Sequence, residues 1–185
     1  MRVISGILKG KPIIFLKNSN TRPLKDSVKE NIFNILEHSN FIKVKIEKSK
    51  VLDLYSGIGS FGIECGSRGA HNITFVDKDI SATKVLKKNL TNLSLINKSN
   101  IFTDNVEDVL KSFKKKFNIF FLDPPYANNN FINNLKKIKE EKLFEANHIV
   151  IIHREKKTED YYNNYFKMID TKIYGRSKII FGVFT

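Results

Sequence analysis

The sequence predicts an α/β protein of the doubly wound kind: a mostly parallel, seven-stranded sheet with a small N-terminal β-hairpin and helix extension. Three observations lead there. From Val51 onward, short apolar runs alternate with amphipathic stretches, the pattern of a parallel sheet covered on both faces. A glycine-rich loop follows the first of those runs directly. The chain then closes on two apolar runs parted by Gly175-Arg176-Ser177, which suits an antiparallel edge hairpin.

In chain order, residues 2–16 alternate around Gly6 and Gly10-Lys11-Pro12. They read as a hairpin of Val3-Ile4 and Ile13-Ile14-Phe15 with a basic turn at Lys9 and Lys11. A helix is expected from Pro23, with Val28, Ile32, Phe33, Ile35 and Leu36 at helical spacing. Arg22, Lys25 and Lys29 near its start oppose the helix dipole, so local stability does not account for them and an anionic ligand does. Lys43 to Lys50 is a charged connection. Strand–helix pairs follow: Val51–Leu54 and Ser60–Arg68, Ile73–Val76 and Ile80–Leu93, Ile101–Phe102 and Val106–Phe113, Ile119–Leu122 and Asn129–Glu140. Ile149–Ile152 is a fifth strand, followed by a polar helix around Glu159 to Tyr165. Strands near Met168–Ile173 and Ile179–Phe184 complete the seven. Residues 1–40 form the extension and 41–185 the main domain.

The 185 residues suit one domain with a small appendage. No apolar run approaches the roughly 20 residues that span a bilayer. Ser5, Lys9 and Lys11 interrupt the N-terminus where a signal-peptide core would lie, so a cytoplasmic location is expected. Cys65 is the sole cysteine, which excludes an internal disulfide and a thiolate metal cluster; it reads as a small core residue. The four histidines show no paired ligand spacing, so no metal site is expected. With 32 basic against 19 acidic residues, the net charge is +13. A polyanion is the favoured partner, nucleic acid before membrane, against the plainer reading of a solubilising surface.

Two stretches carry chemistry. Asp53-Leu54-Tyr55-Ser56-Gly57-Ile58-Gly59-Ser60-Phe61-Gly62 contains a Gly-x-Gly-x-x-Gly loop between strand and helix, where backbone N–H groups approach a ligand closely. Asp77, after the second strand, fits a ribose diol, and Asp79 suits the cap of the next helix. The loop alone does not separate a dinucleotide from S-adenosylmethionine. Asp53 before the loop would repel a pyrophosphate but attract an ammonium or sulfonium. Asp104-Asn105-Val106 can meet an adenine edge, one side-chain oxygen accepting from N6 and the Val106 N–H donating to N1; Asp104 or Asn105 serves equally as a helix cap. These features favour S-adenosylmethionine, bound by Asp53, Tyr55, Ser56, Gly57, Gly59, Asp77, Asp104, Asn105 and Val106. The second stretch is Phe120-Phe121-Leu122-Asp123-Pro124-Pro125-Tyr126. Neither proline continues a sheet ladder, so the strand stops in a stiff loop at its C-terminal edge, where α/β sheets bind ligands.

With both stretches placed, the chain resembles a class I S-adenosylmethionine-dependent methyltransferase with a Rossmann-like sheet. Asp123-Pro124-Pro125-Tyr126 is similar to the (Asp/Asn)-Pro-Pro-(Tyr/Phe) signature of enzymes that methylate exocyclic amino groups or amides. The closer resemblance is to bacterial 16S rRNA (guanine(966)-N2)-methyltransferases. It runs from Arg2-Val3-Ile4-Ser5-Gly6 and Lys9-Gly10-Lys11, through Arg22-Pro23 and Ile32-Phe33-Asn34-Ile35-Leu36, to Ser67-Arg68-Gly69-Ala70 and the Asp-Pro-Pro-Tyr loop. Departures are Leu24-Lys25 and Lys29 near the first helix, Asn105 where many such enzymes carry Asp, and His153-Arg154 in place of an acid after the fifth strand. The resemblance implies that Asp123 and the Pro124 carbonyl accept the two N2 hydrogens while Tyr126 stacks on the base. It implies 16S rRNA or the small ribosomal subunit as partner; nothing in the sequence demands more than a monomer. Lys9, Lys11, Arg22, Lys25, Lys29, Arg176 and Lys178 are the candidate phosphate contacts. Other readings are a DNA adenine-N6 or protein glutamine methyltransferase, an NAD-dependent oxidoreductase, and a catalytically silent RNA-binding assembly factor.

Overall fold

The computed structural model describes residues 1–16, 24–125, 130–162 and 164–185. Pro23, Arg22 and Tyr126 lie outside the described residues. Helix α1 spans Asp26–His38. The alternation that begins at residue 50 gives β1 (Lys50–Leu54), α2 (Ser60–Ser67), β2 (Asn72–Val76), α3 (Ile80–Asn92), β3 (Ser99–Phe102), α4 (Val106–Ser112), β4 (Phe117–Leu122) and α5 (Phe131–Glu140). It closes with β5 (Phe144–Glu155), β6 (Phe166–Tyr174) and β7 (Ser177–Phe184).

The seven strands form one sheet in the order β3-β2-β1-β4-β5-β7-β6. β1 to β5 run parallel, and β7 is antiparallel to both β5 and β6. The period-two alternation of the strands sorts the core into two layers. Ile73, Phe75, Ile119, Phe121, Ile149 and Ile151 pack with α1, α2 and α3, while Leu52, Leu54, Phe120, Leu122, Val150 and Ile152 pack with α4 and α5. The direction of winding reverses between β1 and β4, so their C-terminal ends open a crevice at the topological switch point.

The N-terminal hairpin is minimal. Arg2 and Pro12 make one antiparallel bridge, flanked by Val3 N–H to Lys11 O at 2.9 Å and Gly10 N–H to Val3 O at 2.9 Å. One further bond, Ile13 N–H to Met1 O at 3.1 Å, completes the pairing of the strands expected at Val3-Ile4 and Ile13–Phe15, and their other polar contacts go to the helices. The Ile4 and Ser5 N–H groups go to Glu64, Leu8 N–H to Ser67 Oγ, and the Ile14 N–H and carbonyl to the Asn89 amide. Gly6 lies so close to α2 that a Cβ would sit 2.1 Å from the Ser67 carbonyl oxygen.

The helix expected around Glu159 to Tyr165 does not form among the described residues there. Asp160 turns back instead to pair with buried Arg154. Strand β6 ends the sheet, and its register against β7 slips by one residue between Met168 and Asp170. No helix of the described residues is long and apolar enough to cross a membrane.

Candidate active site

At the end of β1, Asp53 points to the layer that holds α2. Its side chain takes over the capping of that helix. Gly59 stands at the N-cap with φ 82° and has no side chain to offer, and Asp53 Oδ2 accepts the Gly62 N–H at 2.9 Å. Asp53 is 1% exposed, and its Oδ1 has no hydrogen-bond partner. Burial first, then the Asp123 and Asp77 carboxylates, push its pKa well above the ordinary 3.8. A buried, unpartnered carboxylate oxygen between other carboxylates is a site for a cation. The buried Ser56 Oγ in the same loop also lacks a partner.

This pKa shift gives a stability prediction. Between 3.8 and the raised value, the folded protein holds a proton that the unfolded chain has released, so the ligand-free protein loses stability as pH rises through that window. Asp77 is raised in the same sense. Asp53→Asn should therefore flatten, without abolishing, the fall in urea stability as pH rises above the ordinary carboxylate range. An unchanged slope would show that Asp53 folds without this proton.

Asp77 braces the loop that follows β1. Its Oδ2 accepts Gly57 N–H at 2.7 Å and its Oδ1 accepts Asp79 N–H at 2.9 Å, so it holds the glycine loop against β2. A carboxylate has about four acceptor positions, which leaves room for a diol. Asp79 caps α3 through Ser81 and Ala82, as its position implies. Asn105 occupies the N-cap of α4 with no side-chain cap bond, while Asp104 Oδ1 accepts Asn105 N–H at 2.7 Å. Tyr55 sits in a left-handed turn with φ 59°, and its hydroxyl accepts from Asn134 Nδ2 of α5 at 2.6 Å. Burial pushes the Tyr55 pKa up to about 12.

One cavity of about 770 Å³ gathers these groups: Asp53, Tyr55, Ser56, Gly57, Asp77, Asp104, Asn105 and Val106 line it together with Asp123, Pro124 and Pro125. The wall includes groups the sequence did not single out as site residues: Asn130, Asn134 and His153, with Phe15, Leu16 and Leu24 from the N-terminal segment. Of these, Leu24 and His153 had a sequence signal, each as a departure from the resembling family, His153 where an acid was expected. A second hollow at Lys139, Asn164, Tyr165 and Thr185 is remote from the switch point. Among the described residues, no group of three His, Cys, Asp or Glu side chains is placed to hold a metal ion.

The basic residues scatter. Lys29 is a correction: it is fully buried, 3.7 Å from Glu64, and its Nζ donates to Arg2 O at 2.9 Å and Ser60 Oγ at 3.3 Å. It ties α1 to α2 and the N-terminal segment and is not available to phosphate. That partner, not an external anion, answers its charge in the helix's first turn. Lys178 is half-buried and donates to the Thr158 carbonyl. It and exposed Arg176 lie at the start of β7, the end of the sheet that carries the crevice. Lys9 and Lys11 are exposed beside the last turn of α2, about 10 Å along the helix from the glycine loop. Lys25 is exposed ahead of α1.

A sheet of this order, with an acid-ended first strand, a glycine loop and Asp-Pro-Pro together at the switch point, defines an α/β methyltransferase. Comparison with known proteins agrees. A Bacillus subtilis protein named as a candidate rRNA methyltransferase, YlbH, is 34% identical over 162 residues, 86% of this chain and 85% of its own. Ribosomal RNA small subunit methyltransferase D of Buchnera aphidicola (subsp. Acyrthosiphon pisum) is 33% identical over 155 residues, covering 84% and 78%. The crystal structure of a candidate methylase, HI0767, from Haemophilus influenzae superposes with a TM-score of 0.79 at 26% identity, over 98% of this chain and 96% of that one. The chain belongs to the family described as Conserved hypothetical protein 95, which residues 1–183 match.

Proposed function

We propose that the protein transfers a methyl group from S-adenosylmethionine to the exocyclic N2 of a guanine in 16S rRNA, guanine 966. The observation that carries this reading is Asp123-Pro124-Pro125 lining the same cavity as Asp53 and the glycine loop. The site fits the cofactor: the unpartnered Asp53 Oδ1 suits its cationic amino-acid end, Ser56 and Gly57 its approach to backbone, Asp77 its ribose, and Asp104, Asn105 and Val106 its adenine. S-adenosylmethionine, when bound, supplies an electrophilic methyl group. Asp123 and the Pro124 carbonyl accept the two N2 hydrogens, which concentrates the nitrogen lone pair and stabilises the positive charge that develops on it. Tyr126 stacks on the base, which must leave its neighbours to enter.

Relatives named for the small-subunit RNA support the substrate, and the net charge of +13 supports a polyanion. Lys9, Lys11, Arg22, Lys25, Arg176 and Lys178 remain the proposed phosphate contacts, with residues 1–40 as an extension to the catalytic domain of residues 41–185. The protein works as a monomer in the cytoplasm, where rRNA matures.

The test is incubation with labelled S-adenosylmethionine and either small subunits or naked 16S rRNA from cells lacking the enzyme. Label is expected as N2-methylguanine in rRNA. Label in DNA or protein instead would sink the reading.

A further inference from the structure

We propose that His153 is a positioning residue for methyl transfer: its imidazole commits one oxygen of Asp123 to the protein and leaves the other for the amine. The inference rests on the functional reading above. In the β4–β5 register, Leu122 lies beside Ile152, so the next pair outward is Asp123 and His153. His153 Nδ1 is 2.9 Å from Asp123 Oδ1, and Nε2 is 2.9 Å from Ser177 Oγ at the start of β7. The His153 side chain is 6% exposed against 23% for Asp123, so water competes little for the bond.

The protons follow from the partners. An ionised carboxylate has none to give, so Nδ1 carries the hydrogen and donates it to Oδ1. When the ring is neutral, Nε2 accepts from the Ser177 hydroxyl, which fixes the tautomer. Without the ring, the carboxylate would turn about its terminal torsion, whose wells are broad, and its second oxygen would wander from the amine. A misplacement of about 1 Å at the reacting groups costs on the order of 10²-fold in rate.

The neighbour, Arg154, does matching work on the opposite face of β5. Its guanidinium forks onto Asp160 at 3.0 and 3.1 Å, lies 4.6 Å from the Phe131 ring centroid, and donates to the Pro125 carbonyl at 3.3 Å. Two consecutive strand residues thus hold the first and third residues of Asp123-Pro124-Pro125. The departure from an acid at this strand end supplies a donor exactly where an acid would repel Asp123.

His153→Ala should lower kcat on the order of 10–100-fold while cofactor Kd and the KM for RNA stay within about twofold. His153→Asn should recover most of kcat, because its amide nitrogen stands where Nδ1 does. Wild-type kcat in the alanine variant would overturn the proposal, as would equal loss in both variants with a matching fall in Tm. Nitrogen-15 NMR of the ring reads the same pairing without turnover. An Nδ1–H tautomer that is perturbed by Ser177→Ala is expected, and an Nε2–H tautomer would refute it. If wild-type protein leaves rRNA unmethylated while the ring is Nδ1–H bonded to Asp123, the functional reading fails and the pairing stands.

Discussion

Asp123→Ala is expected to reduce kcat by about 10²–10³ or more while S-adenosylmethionine still binds. The carboxylate is the one charged acceptor at the Asp-Pro-Pro loop, and its loss leaves the Pro124 carbonyl to polarise the amine alone. Cofactor binding should persist, since Asp53 and Asp77 hold their positions through Gly62, Gly57 and Asp79 without help from Asp123. Calorimetric titration with S-adenosylmethionine beside single-turnover kinetics separates the outcomes. Loss of binding together with turnover would make Asp123 a structural residue.

The second large effect is on folding. Glu64→Ala should cost about 3–5 kcal/mol of stability, read from urea denaturation. Its carboxylate is fully buried and accepts from Ile4 N–H at 2.7 Å, Ser5 N–H at 2.9 Å and Arg68 Nε at 3.0 Å, while also facing the Lys29 ammonium at 3.7 Å. Removing it strands a buried cation whose charge burial already disfavours, leaving Asp26, 40% exposed, as the remaining carboxylate beside it. Apolar replacement of both Lys29 and Glu64 should not restore stability, because two backbone donors would still lack an acceptor. Glu37→Ala is the control. Its bond to Arg68 is shorter, at 2.6 Å, yet Glu37 is 38% exposed, so the loss should stay under about 1 kcal/mol. Equal losses in the two variants would refute the role given to Glu64.

Those two residues also mark the reach of the sequence. The succession of strands and helices follows from alternation and the loops, and the acids that line the cavity sit at strand ends that apolar runs make visible. Lys29 was misread because its partner lies 35 positions away on another helix; periodicity sees a charge in a first turn and nothing of Glu64. Strand β5 begins at Phe144, five residues before the apolar run, since Glu145, Ala146 and Asn147 are solvent-facing or half-exposed and carry no strand signature. The polar stretch after β5 looked helical for want of any sign that Asp160 answers Arg154. His153 was legible only as a departure. Its meaning needed the β4–β5 register, which no local pattern contains.

The slip at Ile169 has a consequence for how the molecule keeps company. Strand β6 closes the sheet, so one row of its N–H and C=O groups has no neighbouring strand. A straight nine-residue rim carrying exposed Met168, Ile169 and Ile173 would be an invitation to strand-by-strand aggregation. The extra residue between Met168 and Asp170 breaks the even spacing that an incoming strand must match. Just beyond it, Lys172 pairs with Asp170 at 3.0 Å and sets charge along the same rim. An incoming strand at this edge meets broken spacing and charge, both of which disfavour pairing along it.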